Sequence, residues 1–130
     1  DPLYADLVIM YAQRGHGKRS SYYSDFTLGA WHGSVTNPVL VPVCKAYSGF
    51  TDSELAKLDK FVRENTINRY GPVREVDHAL VVEVAFDSLH LSSRHKSGIA
   101  TRFPRFHAIR WDKTADYADH VDQLKKMIDL

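Results

Sequence analysis

The chain has 130 residues and a mass of 14.8 kDa, enough for one domain with a single core and too little for two. Hydrophobic residues make up 44% and charged ones 25%, which excludes a disordered tail or a fibrous repeat. With 17 Lys and Arg against 16 Asp and Glu the formal charge is +1, so no global field draws the domain to nucleic acid or an anionic membrane, and any such attraction must be local.

From Ala5 to Gln13 the run ADLVIMYAQ is apolar and aromatic, too short for a typical helix and closed by Gly15 and Gly17; it reads as a buried strand. After the basic turn RGHGKRSS, residues Tyr22 to Trp31 put Phe26, Leu28 and Ala30 on one face at period two, and Gly33 with Asn37-Pro38 closes this second strand. Val39 to Tyr47 alternates Val39, Val41 and Val43 against Leu40, Pro42 and Cys44. That predicts a third strand, in which Pro42 lacks a ladder donor and belongs at an edge or a bulge. The period then changes. Thr51 and Glu54 form a T-x-x-E capping box, with Phe50 and Leu55 placed as a hydrophobic staple. Leu55, Leu58 and Val62 recur at helical spacing, which predicts a helix over Asp52 to Asn65, and Gly71-Pro72 ends the stretch. A fourth strand is predicted over His78 to Phe86, with Leu80, Val82, Val84 and Phe86 facing one way and Glu83 the other. A fifth runs from Ile99 to Phe103, where Pro104 interrupts it. Thr114 is placed to cap a terminal helix whose Tyr117, Val121, Leu124 and Ile128 share a face, with Lys125 and Lys126 complementing its dipole.

Three strands, a helix, two strands and a terminal helix is the order of the OB-fold, a five-stranded, partly open Greek-key barrel, although another small α+β sheet shares it. The expected fold is therefore mainly β: one OB-fold domain over residues 1–130, with a helix between strands 3 and 4 and another at the C-terminus.

Two stretches depart from the neutral average. Arg14 to Arg19 holds Arg14, Lys18 and Arg19 with two glycines and no acid, and Tyr22 and Tyr23 follow. Glycine lets backbone approach a phosphate, Lys and Arg neutralise it, and an aromatic ring can pack on a sugar or base; a solvated hairpin turn has the same composition. The second stretch contains Arg94, Lys96, Arg102, Arg105, Arg110 and Lys113, opposed only by Asp112. Arginine binds phosphate oxygens in two-pronged fashion and keeps its charge at neutral pH, while Ile99, Phe103, Phe106 and Ile109 are placed to fill the core beneath.

Little else carries chemistry. The 7 histidines show no metal-ligand spacing, neither G-x-S-x-G nor a Walker P-loop occurs, and Cys44 lies in an apolar strand where a thiol is inert. Tyr11 and Tyr47 read as packing residues, and Glu83 in its valine-rich strand needs a basic partner or water. One cysteine, no apolar run of about 20 residues and no signal-peptide start predict a cytoplasmic protein off the membrane. A first residue of Asp1 rather than Met suggests a piece of a longer polypeptide.

The string Arg102-Phe103-Pro104-Arg105, followed by Arg110-Trp111-Asp112-Lys113, resembles the R-F-P-R…R-x-D-K element called motif VI in ATP-dependent DNA ligases. Gly15-His16-Gly17-Lys18-Arg19 with Tyr23 and Phe26 is similar to the G-x-G-K-R-x-x-x-Y-x-x-F stretch after those ligases' motif V. Val82-Glu83-Val84 and Lys96-Ser97-Gly98 fit between the two, so the resemblance covers nearly the whole chain, and its bacterial branch is nearest. One position departs: Ala108 stands where motif VI carries another arginine.

The resemblance implies the C-terminal OB-fold domain of a longer ligase, without the nucleotidyltransferase domain that bears the AMP-accepting lysine in K-x-D-G. That motif is missing here, so the chain alone should be inactive. It further implies that Arg102, Arg105, Arg110, Asp112 and Lys113 stabilise and orient the triphosphate during lysine adenylylation, with ATP and Mg²⁺ serving the full-length enzyme and no cofactor or metal bound tightly to this domain. The implied partners are the nucleotidyltransferase domain and nicked duplex DNA, clamped by a monomeric enzyme through Arg14, Lys18, Arg19, Tyr23 and Lys96. An RNA-ligase or capping-type OB domain, or a stand-alone nucleic-acid-binding module, is the alternative.

Overall fold

The structure is a computed structural model that describes residues 1–128. Its organising element is a long strand, β1 (Leu3–Arg14). Along one edge β1 pairs antiparallel with β2 (Tyr23–Ser34), which pairs in turn with β3 (Asn37–Ala46). Its other edge is shared: residues Leu3 to Val8 pair with β6 (Val81–Phe86), and Tyr11 and Ala12 pair with β5 (Val73–Val76). β5 forms a hairpin with β4 (Thr66–Tyr70), and β6 carries β9 (Arg105–Ile109) on its far side. A separate hairpin joins β7 (Ser88–Leu91) to β8 (Ile99–Arg102).

The barrel proper is β1, β2, β3, β6 and β9, a three-strand meander followed by two strands that return around it. It closes where the N–H of Phe106 on β9 donates to the carbonyl of Ser48, just past β3, at 2.9 Å. Gly49 sits at this closure with φ +95°, and a Cβ there would lie 2.2 Å from the Phe106 carbonyl oxygen. Inside, Ile9, Phe26, Leu28, Leu58, Val82 and Phe106 are buried together, and the Phe50 ring bridges Phe26 and Phe106, with centroids at 5.6 and 4.7 Å.

Local sequence rules account for most boundaries. Pro42 lies on the outermost strand of the sheet, beside the register shift between Leu28 and Gly29, where a missing N–H does no harm. The helix α1 (Asp52–Asn65) falls on the predicted span and buries Leu55, Leu58 and Val62. Its capping box is complete: the Glu54 N–H donates to Thr51 Oγ1 at 3.1 Å, and the Thr51 N–H donates to Glu54 Oε1 at 2.9 Å. Thr51→Ala removes one of these partners and is expected to lower stability by about 1 kcal/mol in urea unfolding; an unmoved midpoint would remove the cap from the account.

Three expectations need correction. The barrel keeps five strands, but four more form outside it, and its fifth strand is β9 rather than the Ile99 to Phe103 segment. Phe103 at φ +50° and Pro104 turn the chain between β8 and β9, so β8 is released to pair with β7. The fourth strand starts at Val81 rather than His78, although the Leu80 carbonyl still accepts from the Ile9 N–H at 3.0 Å. The terminal helix is broken into a 3₁₀ turn (Ala115–Tyr117) and the short α2 (Val121–Lys125). Between them the chain is drawn onto the sheet: the Asp119 carbonyl accepts from the Trp31 N–H at 3.0 Å, and the Asp119 N–H donates to the Asp6 carbonyl at 2.8 Å. The cap moves from Thr114 to His120, whose Nδ1 accepts from the Asp122 N–H at 3.1 Å, and Tyr117 is left exposed.

Candidate functional site

The register puts Tyr4, Ala85 and Arg105 side by side, and Asp6, Glu83 and Ala108 side by side two residues along β1 and β6 and three along β9, where the pairing shifts, so all six share one face of the β1–β6–β9 sheet. This is the face away from the core residues Leu7, Val82 and Val84. A carboxylate in a strand needs a cation when water is scarce, and Asp6, whose side chain is only 12% exposed, has two. Arg110 Nη1 lies 3.3 Å from its Oδ1, and Lys113 Nζ donates to its Oδ2.

Both cations come from the turn that follows β9. That turn is fixed by the Arg110 N–H donating to Val81 O at 2.9 Å and the Lys113 N–H donating to Arg110 O at 3.2 Å. Glu83 Oε2 stands 3.6 Å from Arg110 Nη1 and Oε1 stands 3.6 Å from His107 Nε2. Asp112 takes the remaining edge of Arg110, accepting from Nε and Nη2 at 3.1 Å each. Its hydrogen bond to Arg110 holds the Asp112 carboxyl below the usual carboxylate range, and the same bond, helped by the charge of Asp6, raises Arg110 further. At Ala108 the expected arginine would have stood directly opposite Glu83.

The five residues expected to meet a triphosphate therefore do not form one cluster. Arg110, Asp112 and Lys113 gather on Asp6 and Glu83. Arg105 instead pairs with Asp87 at 3.0 Å and lays its guanidinium 4.8 Å from the centre of the Phe103 ring. Arg102 is exposed at the end of β8 and has no acid partner among the described residues.

The residues assigned to DNA also divide. Tyr23 is 5% exposed, with Arg14 and Arg63 over its ring at 4.9 and 5.4 Å from the centroid, so its ring is core and the reading of it as DNA-facing is withdrawn. The aromatic and basic side chains seal one another because Arg14 and Arg63 both donate to the Ser21 carbonyl, at 3.1 and 2.9 Å. Arg19 is half-buried over Phe50, whereas Lys18 stands exposed in its 3₁₀ turn. Lys96 hangs with Arg94 and His95 over a cleft of about 400 Å³ whose floor is Thr27, Val43, Cys44 and Thr101 and whose rim includes Lys45. Lys45 bonds Asp25 at 3.1 Å, and Asp25 lines a second cleft with His16, Arg19 and Tyr47. Burial pushes the Cys44 thiol up to about 12, so it contributes shape rather than chemistry.

Asp6, Lys45 and Tyr47 are not among the site residues the sequence singles out. An acid inside the run ADLVIM carries the same signal as Glu83 and marks Asp6 as needing a partner. Nothing local marks Lys45, and Tyr47, 67% exposed, lies one residue past β3 where the alternation has ended.

The sequence model of one family, described as the ATP dependent DNA ligase C terminal region, matches residues 19–113. A probable DNA ligase of Koribacter versatilis is 40% identical over 122 residues, covering 94% of this chain and 20% of the relative. One from Opitutus terrae is 43% identical over 122 residues, covering 94% and 12%, and a DNA ligase of Thermococcus fumicolans is 33% identical over 125 residues, covering 96% and 22%. The chain thus spans about a fifth or less of the length of these relatives. The ligase domain from M. tuberculosis LigD superposes with a TM-score of 0.72 at 19% identity, over 90% of this chain and 38% of that one. A mycobacterial DNA ligase D complexed with ATP and MES gives 0.66 at 16% identity, over 91% and 38%. At such identities the likeness establishes the OB-fold. From the loop after β1 to the turn that carries Arg110 and Lys113, this chain belongs to the C-terminal region family of the ATP-dependent DNA ligases.

Proposed function

We propose that the chain serves as the OB-fold domain of a monomeric, cytoplasmic ATP-dependent DNA ligase, assisting lysine adenylylation with one face and holding nicked duplex DNA with another. The observation that carries this reading is the division of its cations into two settings. Arg110 and Lys113 are fixed by carboxylates on a rigid sheet, which suits orientation of a small, highly charged ligand. Lys18, Arg94 and Lys96 are exposed and lack acid partners among the described residues, which suits sequence-independent contact with a phosphate backbone.

In the first step of sealing, a lysine of the nucleotidyltransferase domain attacks the α-phosphate of ATP and pyrophosphate leaves with the bonding electron pair. Charge builds on that leaving group, and Arg110 and Lys113 are the side chains here that can neutralise it, with Arg102 and Arg105 at the neighbouring corner. AMP then passes to the 5′-phosphate of the nick, and the 3′-hydroxyl displaces it. Mg²⁺, when bound by the full enzyme, would supply further neutralisation of the polyphosphate charge. We assign it no ligand in this chain, because Asp6 and Glu83 are committed to Arg110 and Lys113.

The duplex reading is tested in the full-length protein by replacing Lys18, Arg94 and Lys96 with alanine. Nicked-duplex affinity should fall equally on unrelated sequences, and the slope of log affinity against log salt should flatten by about one unit for each lost contact. A slope unchanged by all three replacements would return these residues to a solvated surface.

A further inference from the structure

The acids around Arg110 differ in how firmly they are held. Asp6 sits within β1, is 12% exposed at its side chain, and has both backbone groups bonded to Asp119: its N–H donates to Asp119 Oδ2 at 2.8 Å and its carbonyl accepts the Asp119 N–H at 2.8 Å. Asp112 lies in a turn, is 68% exposed at its side chain, and grips Arg110 only through the Nε and Nη2 edge. That edge is where a guanidinium takes two oxygens of a phosphate in parallel. A polyphosphate can reach it only by replacing Asp112.

We propose that Asp112 is a placeholder exchanged for a phosphate group, while Asp6 is the positioning residue that keeps Arg110 and Lys113 together throughout the exchange. This rests on the polyphosphate reading above and adds how the site is held before its ligand arrives. The two acids then have opposite roles. Simple charge neutralisation would raise anion affinity at either position; exchange raises it at Asp112 and lowers it at Asp6, because two long, unanchored side chains must be ordered anew.

The experiment is calorimetric titration of this chain with inorganic tripolyphosphate at low ionic strength. Asp112→Asn should bind about fivefold tighter than the unaltered chain, a gain of the size expected from removing one exposed competing charge. Asp6→Asn should bind about fivefold more weakly, and Arg110→Gln should abolish both binding and the gain from Asp112→Asn. Because Asp112 is exposed, its variant tests the exchange even if Asp6→Asn fails to fold. The Arg110 Nε–H proton resonance gives an independent reading, since it should move on addition of tripolyphosphate to the unaltered chain as the Asp112 bond breaks. Binding that depends on Arg110 but is indifferent to Asp112, an unmoved Arg110 resonance, or tighter binding by Asp6→Asn overturns the exchange while sparing the polyphosphate reading. Absence of tripolyphosphate binding in every form overturns both.

Discussion

Replacing Arg110 with alanine in the full-length protein is expected to slow self-adenylylation by about a hundredfold and to change sealing of a pre-adenylylated nick by less than about threefold. The asymmetry follows from where charge develops. On the proposed function pyrophosphate departs only in the first step, so a side chain that neutralises it affects that step and not the transfer to the 3′-hydroxyl. The surroundings of Arg110 enlarge the effect: Asp6, Glu83 and Asp112 contribute three carboxylates against the two cations Arg110 and Lys113. Alanine would leave three acids facing one lysine, a site that repels polyphosphate. Arg110→Lys keeps a charge but loses the planar fork and should fall between the two. Rapid-quench measurement of the covalent AMP adduct, set beside ligation of a nick already carrying AMP, distinguishes the outcomes. Equal losses in both assays would reject the leaving-group role.

Gly49→Ala is expected to cost about 3–5 kcal/mol, from backbone strain and forced overlap together. Its φ of +95° is outside what an alanine adopts easily, and the added Cβ would meet the Phe106 carbonyl oxygen at 2.2 Å. Backbone, unlike a side-chain tip, cannot swing aside. The neighbouring Ser48–Phe106 hydrogen bond joins the two ends of the barrel, so relief of the clash opens the seam under Phe26, Phe50 and Phe106. Equilibrium urea unfolding of the chain would report the loss as a lower midpoint. A loss under about 1 kcal/mol would show that the seam yields without cost.

Features that depend on near neighbours in the chain were legible in the residues. The apolar run of β1, the alternation in β2 and β3, the capping box and buried stripe of α1, and the bulge beside Pro42 each rest on interactions spanning a few positions. The two basic stretches were visible for the same reason, since clustering of charge is a linear property. Pairings decided by distant parts of the chain were not legible. Tyr23 looked available because its partner Arg63 lies on α1, 40 positions away. The terminal helix looked continuous because the hydrogen bonds that break it, from Trp31 and to Asp6, come from β2 and β1.

The sequence by itself determined the class of the fold and the two clusters of cations proposed to meet phosphate, because periodicity and charge order are written along one dimension. Only the tertiary structure decided that Arg110 and Lys113 are held by Asp6 from the far end of the chain, that Arg105 is tied to Asp87, and that Lys96 overlooks a cleft rimmed by Lys45. Coulombic and hydrogen-bonding energy depends on separation in space, and strand pairing brings together residues more than 100 positions apart.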